Sequence, residues 1–298
     1  MKKINTPNRS VEEVEQQIVK FSQIESAEEL RNMPEAYEVF SDLLSYLNMG
    51  VIRSAQPIDG SWKVNTWVKE GIVRVGFRLG KVKEILGNDG LEFSDKDTLP
   101  VQGVEELAAR NVRIVPGGSS IRSGSYLGDN VIMMPPAYVN IGAYVGKDSM
   151  VDSLVLVGTC AQIGERVHLA AGAIIGGVLE PSGAKPCIVG DDAFVGAYAG
   201  IFGGVELGKG VVMAPKTVIT DGTEVWEAIP GKDERKLPND STNPIRIPDR
   251  ALVIPGTIQL RDKNGQSSRI SKNIAIIRGY YPQGGNPKVA LNELLRQS

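Results

Sequence analysis

One carboxylate sits where a repeating pattern most often has glycine. Asp152 follows an aliphatic residue at a position that is Gly in half of the equivalent rows (128, 146, 158, 164, 176, 190, 196, 208). A carboxylate there can accept a proton from an attacking nucleophile, or bond local backbone amides as a corner Asp; residue type leaves both uses open. His168 is the only histidine, too few imidazoles for a zinc hydratase, and a lone His in a repeat also suits a hydrogen-bonded structural role. No metal site is expected. Cys160 and Cys187 show neither metal nor disulfide spacing and read as small core residues in a reduced compartment. Arg78, Arg113 and Arg122 have the chemistry to meet carboxylates or phosphates, and Lys209, Lys216 and Lys232 to meet phosphates. Solvated or interface roles fit the same residues.

The element that must position these groups repeats every six residues. From Ile121 the aliphatic series runs Leu127, Met133, Val139, Val145, Val151, Val157, Ile163, Leu169 and Ile175, restarts at Val189, and continues Val195, Ile201, Leu207, Met213 and Ile219. In a chain that is 42% hydrophobic, sixteen such hits arise by chance about once in a million. This is the hexapeptide signature of a parallel β-helix, with each hexad giving one short strand and one turn. Three hexads per coil make a shaft of a little over five coils. The restart at Val189 comes two residues later than two hexads allow, so an excursion containing Glu180-Pro181-Ser182-Gly183 leaves the shaft there. Loops on regular scaffolds often carry function.

The expected fold is mainly β, with a small α/β domain over 1–110, the β-helix over 111–228 and a small β-rich cap over 229–298. In the first part, Ser10 with Glu13 and Ser26 with Glu29 read as helix starts, and Val39, Phe40, Leu43, Leu44 and Leu47 keep helical spacing after Pro34. Trp62 to Leu79 reads as a strand pair. Residues 80–110 read as connection with a weak helix at Val104 to Ala109. The hexads are expected to stop beyond Val225. A polar loop, strands over Ala251 to Leu260 and Ile270 to Gly279, and a terminal helix from Pro287 then cap the shaft.

Charge and composition exclude several functions. With 33 basic and 35 acidic residues there is no footprint for nucleic acid. Met1-Lys2-Lys3 is not followed by an apolar stretch, so neither secretion nor a membrane span is expected, and the expected location is the cytoplasm. Residues 1–110 contain no Gly-rich nucleotide loop, and no ladder of exposed Thr suggests ice binding. Acyl transfer from a thioester is the leading enzyme class.

Several runs resemble the tetrahydrodipicolinate N-succinyltransferase family: Pro136-Ala137-Tyr138-Val139-Asn140-Ile141-Gly142-Ala143-Tyr144-Val145, Met150-Val151-Asp152, Val157-Gly158-Thr159-Cys160-Ala161-Gln162-Ile163-Gly164 and Gly176-Gly177-Val178-Leu179-Glu180-Pro181. Outside the shaft, Gly60-Ser61-Trp62, Trp67-Val68-Lys69, Phe77-Arg78 and Asn292-Glu293-Leu294-Leu295-Arg296 share the likeness, which covers residue 35 to the end. The resemblance implies a left-handed β-helix in a cytoplasmic homotrimer, with sites between subunits. The implied reaction is succinyl transfer from succinyl-CoA, a co-substrate rather than a resident cofactor, to the amine of an opened cyclic imine dicarboxylate. Asp152 matches the family's catalytic aspartate. The acceptor side is expected at Arg113, Arg122, His168, Ala170, Tyr198 and Gly200, and the CoA side at Gly176, Gly177, Lys209 and Lys216.

The family pattern breaks at the acceptor end. Its second carboxylate, a glutamate 48 residues after the aspartate in an Arg-Ser-Glu stretch, aligns with Gly200 in the run Tyr198-Ala199-Gly200. Ala170-Ala171 stands where the family has Ser-Gly, and Leu154 replaces its Trp. Losing a general base typically costs 10² to 10⁴ in rate, so Glu206 and Glu180 become candidate replacements. Three readings follow: the family reaction with a rearranged site, a sister N-acyltransferase using another acyl-CoA such as acetyl-CoA or a less charged amine, and a catalytically silent ligand-binding or regulatory trimer.

Overall fold

Ladder residues three hexads apart lie directly above one another: Met133 pairs with Val151, and Val151 with Leu169, in parallel register. The computed structural model describes residues 6–86, 92–239, 244–282, 284, 285 and 289, and arranges the repeat as three parallel sheets visited in rotation. Face I contains Tyr144–Val145, face II Met150–Val151 and face III Leu156–Val157, each with its equivalents above and below. This is the triangular parallel β-helix that the spacing predicts. None of the sixteen ladder residues is more than 4% exposed, and burying each contributes about 1.5–3 kcal/mol. Stacked side chains, rather than the two-residue strands themselves, hold the shaft.

The third residue after most ladder positions turns the corner in the left-handed region. Between faces I and II these are Asn130, Asp148, Arg166, Asp192 and Gly210; between II and III, Leu154, Gly172, Tyr198 and Lys216; between III and I, Gly124, Gly142, Cys160 and Gly204. The slip after Ile175 takes a different form from the one expected. Ile175 lies on face III and Val189 on face I, so the excursion stretches a single hexad step and does not span two.

The N-terminal part covers the corner between faces III and I. Helix α1 (Val11–Ser22) starts on the capping box of Ser10 and Glu13, α2 (Ala27–Arg31) on Ser26, and α3 (Pro34–Asn48) follows. A hairpin of β1 (Ala55–Ile58) and β2 (Ser61–Val64) comes next. The strand pair expected to run to Leu79 ends at Val64. From there α4 (Thr66–Glu70), a π-helical segment (Gly71–Gly76) and α5 (Phe77–Leu79) form one helical run. Val68, Ile72, Val75 and Leu79 are fully buried, and their spacing is that of a helix face. Gly76 is required here, since an added Cβ would lie 2.1 Å from the Phe40 ring. Residues 80–110 are more than connection: β3 (Val82–Leu86) and β4 (Glu92–Lys96) form a second hairpin before the expected α6 (Val104–Ala109). The helices bury Ile141 and Cys160 of the shaft in their own core.

The hexads do not stop at Val225. After a polar excursion, Arg246–Ile247 adds a rung to face I and Ala251–Arg261 one to face II. The latter turns back as Ser267–Tyr280 in the expected hairpin, and Val225–Glu227 joins that hairpin in parallel. Face II thus continues into the cap without a bare edge. The terminal helix expected from Pro287 lies outside the described residues. Among the described residues no helix is long and apolar enough to cross a membrane.

Candidate functional site

Asp152 lies at the end of a face II rung, just before the corner to face III. Its backbone is fixed by Asp152 N donating to Leu169 O at 3.0 Å, and its Oδ1 accepts from Ser153 N at 2.7 Å. Oδ2 remains directed toward the His168 imidazole, whose Nε2 is 4.0 Å away on the next coil, with both side chains about a third exposed. The rings of His168 and Phe194 lie 5.1 Å apart, tilted by 49°. A partly exposed carboxylate beside an imidazole can take the proton of an attacking amine, and a shift of about 1 Å would bring the two into a hydrogen bond that shares it.

The corner beyond Asp152 is built from residues that pay backbone strain. Leu154 and Tyr198 adopt φ of 63° and 56°, a region rarely occupied by bulky residues and concentrated at functional sites. They are 56% and 60% exposed. The Tyr198 ring lies across Gly172, where an added Cβ would come within 2.7 Å of it. On the adjoining face III, Ile174, Gly200 and Val218 stack on successive rungs, and the two aliphatic ones are exposed. Phe202 folds over the rungs of Ile174 and Gly200, since a Cβ on Gly200 would meet its ring at 2.9 Å and one on Gly176 at 2.7 Å. This part of face III is therefore apolar, with an aromatic ring where a side chain at residue 200 would stand. Phe202 and Leu154 as features of this surface escape a reading by residue type; hexad phase would have exposed Leu154 as a bulky residue at a left-handed corner.

The remaining expected residues divide between this edge and elsewhere. Ala170 sits directly above Asp152 on face II, and Lys216 caps the same corner above Tyr198. Arg113 is exposed on face II three rungs below His168, about 15 Å along the shaft. Gly176 and Gly177 begin the excursion at the far side of face III, packed so closely that a Cβ on Gly158 would meet Gly177 N at 2.3 Å. Arg122 bonds Tyr138 Oη at 2.9 Å, Leu99 O and Asp95; burial works against its charge, but those partners hold its pKa above the ordinary value. Arg78 binds the carbonyls of Ile24 and Glu25. Lys209 pairs with Asp191 at 3.1 Å on the corner between faces I and II.

Among the described residues no second carboxylate is brought to Asp152 within one chain. Glu206 is on face I, held by Lys185 at 3.0 Å and Arg246 at 2.9 Å with 13% of its side chain exposed. It is committed to an ion triad on another face and does not replace the missing glutamate there. Glu180 is exposed in the excursion. Gly200 lies on face III two rungs above Leu156, and Asp152 on face II.

Residues 13–79 match the family model described as Tetrahydrodipicolinate N-succinyltransferase N-terminal, so the likeness begins well before residue 35. Curated proteins named 2,3,4,5-tetrahydropyridine-2,6-dicarboxylate N-succinyltransferase align over most of both chains. That of Acinetobacter baylyi is 37% identical over 87% of this chain and 89% of its own length. That of Polynucleobacter asymbioticus is 36% identical over 85% and 87%, and that of Parvibaculum lavamentivorans 33% identical over 88% and 90%.

Proposed function

The chain belongs to the tetrahydrodipicolinate N-succinyltransferase family, and from that premise we propose that it succinylates tetrahydropyridine-2,6-dicarboxylate in the diaminopimelate and lysine pathway. Succinyl-CoA is the donor and no cofactor is permanently bound. The observation that carries this reading is similarity along nearly the whole of both chains, joined to a carboxylate beside an imidazole at the edge of an exposed corner. The amine of the opened ring attacks the thioester carbonyl, Asp152 takes the proton from nitrogen, and the tetrahedral oxyanion collapses by expelling the CoA thiolate. That thiolate is a good leaving group, so no covalent enzyme intermediate is required.

The same reading makes the shaft left-handed and the assembly a cytoplasmic homotrimer, with the strained corner between faces II and III closing a site against a second copy. Exposed Leu154, Ile174, Tyr198 and Val218 favour such a partner, because strain and apolar exposure gain nothing in an isolated chain. A second reading, a sister N-acyltransferase with another acyl-CoA or a less charged amine, is favoured by the apolar stretch of face III at Ile174, Gly200, Phe202 and Val218. Free-thiol release with succinyl-CoA or acetyl-CoA, against tetrahydrodipicolinate and simpler amino acids, separates them. The first reading expects succinyl-CoA with tetrahydrodipicolinate to be the fastest pair and Asp152→Asn to abolish it; faster turnover of a monocarboxylic amine supports the second.

A further inference from the structure

Lys69, in α4, has no exposed surface. Its Nζ donates to the carbonyl of Ala184 in the excursion, and the thiols of Cys160 and Cys187 lie near enough to favour its charge. An ammonium withdrawn from water costs several kcal/mol unless well paired, and a methionine of similar length would fill the space without that cost. Burial accordingly lowers the Lys69 pKa. The charge is spent on one segment. A second tether, Ser182 Oγ to Glu70 Oε1 at 3.4 Å, joins the same helix to the same loop. Val178 packs on the shaft core and Leu179 on the helical core, so residues 176–187 bridge the two.

We propose that Lys69 is a positioning residue for acyl transfer, which locks residues 176–187 into the single conformation that receives the acyl-CoA. This rests on the reading of Gly176 and Gly177 as part of the donor site. The loop leaves the shaft in backbone contact with Gly158 and Thr159 at one end, where Val178 N donates to Thr159 O at 3.2 Å, and is held by Lys69 near the other. Between those points no regular strand fixes it. A buried charge serves here to select one path for the loop, a role in which polar groups act through specificity more than through stability.

Two experiments on the full-length protein test this. In Lys69→Met the acyl-CoA KM rises about tenfold, while kcat and the acceptor KM stay within about twofold. Cys187, buried in the native chain with its thiol pushed up to about 11 by burial, becomes reactive toward Ellman's reagent as the loop loosens. Unchanged donor KM, or a loss in kcat alone, overturns the proposal. The second experiment uses the wild-type chain, so it does not depend on the variant folding: coenzyme A slows hydrogen exchange in 176–187 and in 66–76 together. Protection of the loop without the helix overturns the role of Lys69 alone. Absence of protection anywhere removes the acyl-donor reading as well.

Discussion

Two corners of the same shaft use one backbone conformation for opposite ends. Between faces I and II, left-handed Asn130, Asp148, Asp192 and Gly210 are of types that tolerate this region, Arg166 alone being bulky, and the polar side chains bond along the edge. Asn130 Nδ2 donates to Asp148 Oδ1 at 2.9 Å, and Arg166 clasps Asp192 through two nitrogens at 2.6 and 3.0 Å. Between faces II and III, Leu154 and Tyr198 occupy the equivalent positions at about 1–2 kcal/mol of strain each, with more than half of each exposed. The first corner is finished within the chain. The second leaves strained, apolar side chains exposed, and Asp152 stands at its edge.

The largest effect should therefore separate two acidic residues. Asp152→Asn is expected to lower kcat by about 10² to 10⁴ in the thiol-release assay, with the folded structure retained by circular dichroism. Asp148→Asn, one corner earlier, should leave turnover within about twofold. Equal losses at both positions would erase the division between a structural and a working corner.

A second effect tests how the face III wall is filled. Gly200→Glu places a Cβ 2.9 Å from the Phe202 ring, and overpacking of this kind costs about 1–3 kcal/mol. Phe202→Val should recover most of that loss, which a double-mutant cycle by urea unfolding reads as coupling. Independent, additive effects would mean that Phe202 does not occupy the space of a side chain at residue 200.

How much of this was legible follows from what kind of signal each part leaves. The shaft was readable because every inward position is aliphatic and the period is fixed, and the capping box at Ser10 and Glu13 because both halves lie within four residues. The helical run 66–79 imitates a strand pair because Val64, Trp67, Ile72, Val75 and Phe77 mimic an alternation, although the buried set is Val68, Ile72, Val75 and Leu79. The last rungs were hidden behind a polar excursion, since register across a long insertion is set by pairing in space. At the site, Asp152 broke the repeat visibly and His168 was countable. Lys69 was invisible as anything but part of a resembling motif, because a lysine on a short helix reads as solvated until the fold places a loop over it.

Relief of strain gives a smaller effect of opposite sign at the two corners. Leu154→Gly removes about 1–2 kcal/mol of left-handed strain and adds about 0.5–1 kcal/mol of chain entropy cost. The stability of the isolated chain should thus change by at most about 1.5 kcal/mol, in the favourable direction, while turnover falls. Asp148→Gly relieves little strain and loses the bond from Asn130, so it should destabilise slightly with turnover intact. Thermal melts beside activity measurements check both.

The smallest expected effect is an acid sensitivity confined to the corner between faces I and II. Burial alone would raise the Asp191 carboxyl, but Glu165 N–H at 3.1 Å and Lys209 at 3.1 Å outweigh it and hold the pKa below its usual value. A carboxyl depressed in the folded state stabilises above its unfolded pKa of about 3.9 and loses that contribution as pH falls through the folded value. The wild type should lose stability below about pH 4 more steeply than Asp191→Asn. The difference stays under about 1 kcal/mol and shrinks in salt because Lys209 is largely exposed. Turnover near neutral pH should not change. If instead the acyl-CoA KM of Asp191→Asn shifts, Lys209 reaches the donor from this corner, and the two edges of the shaft share one task.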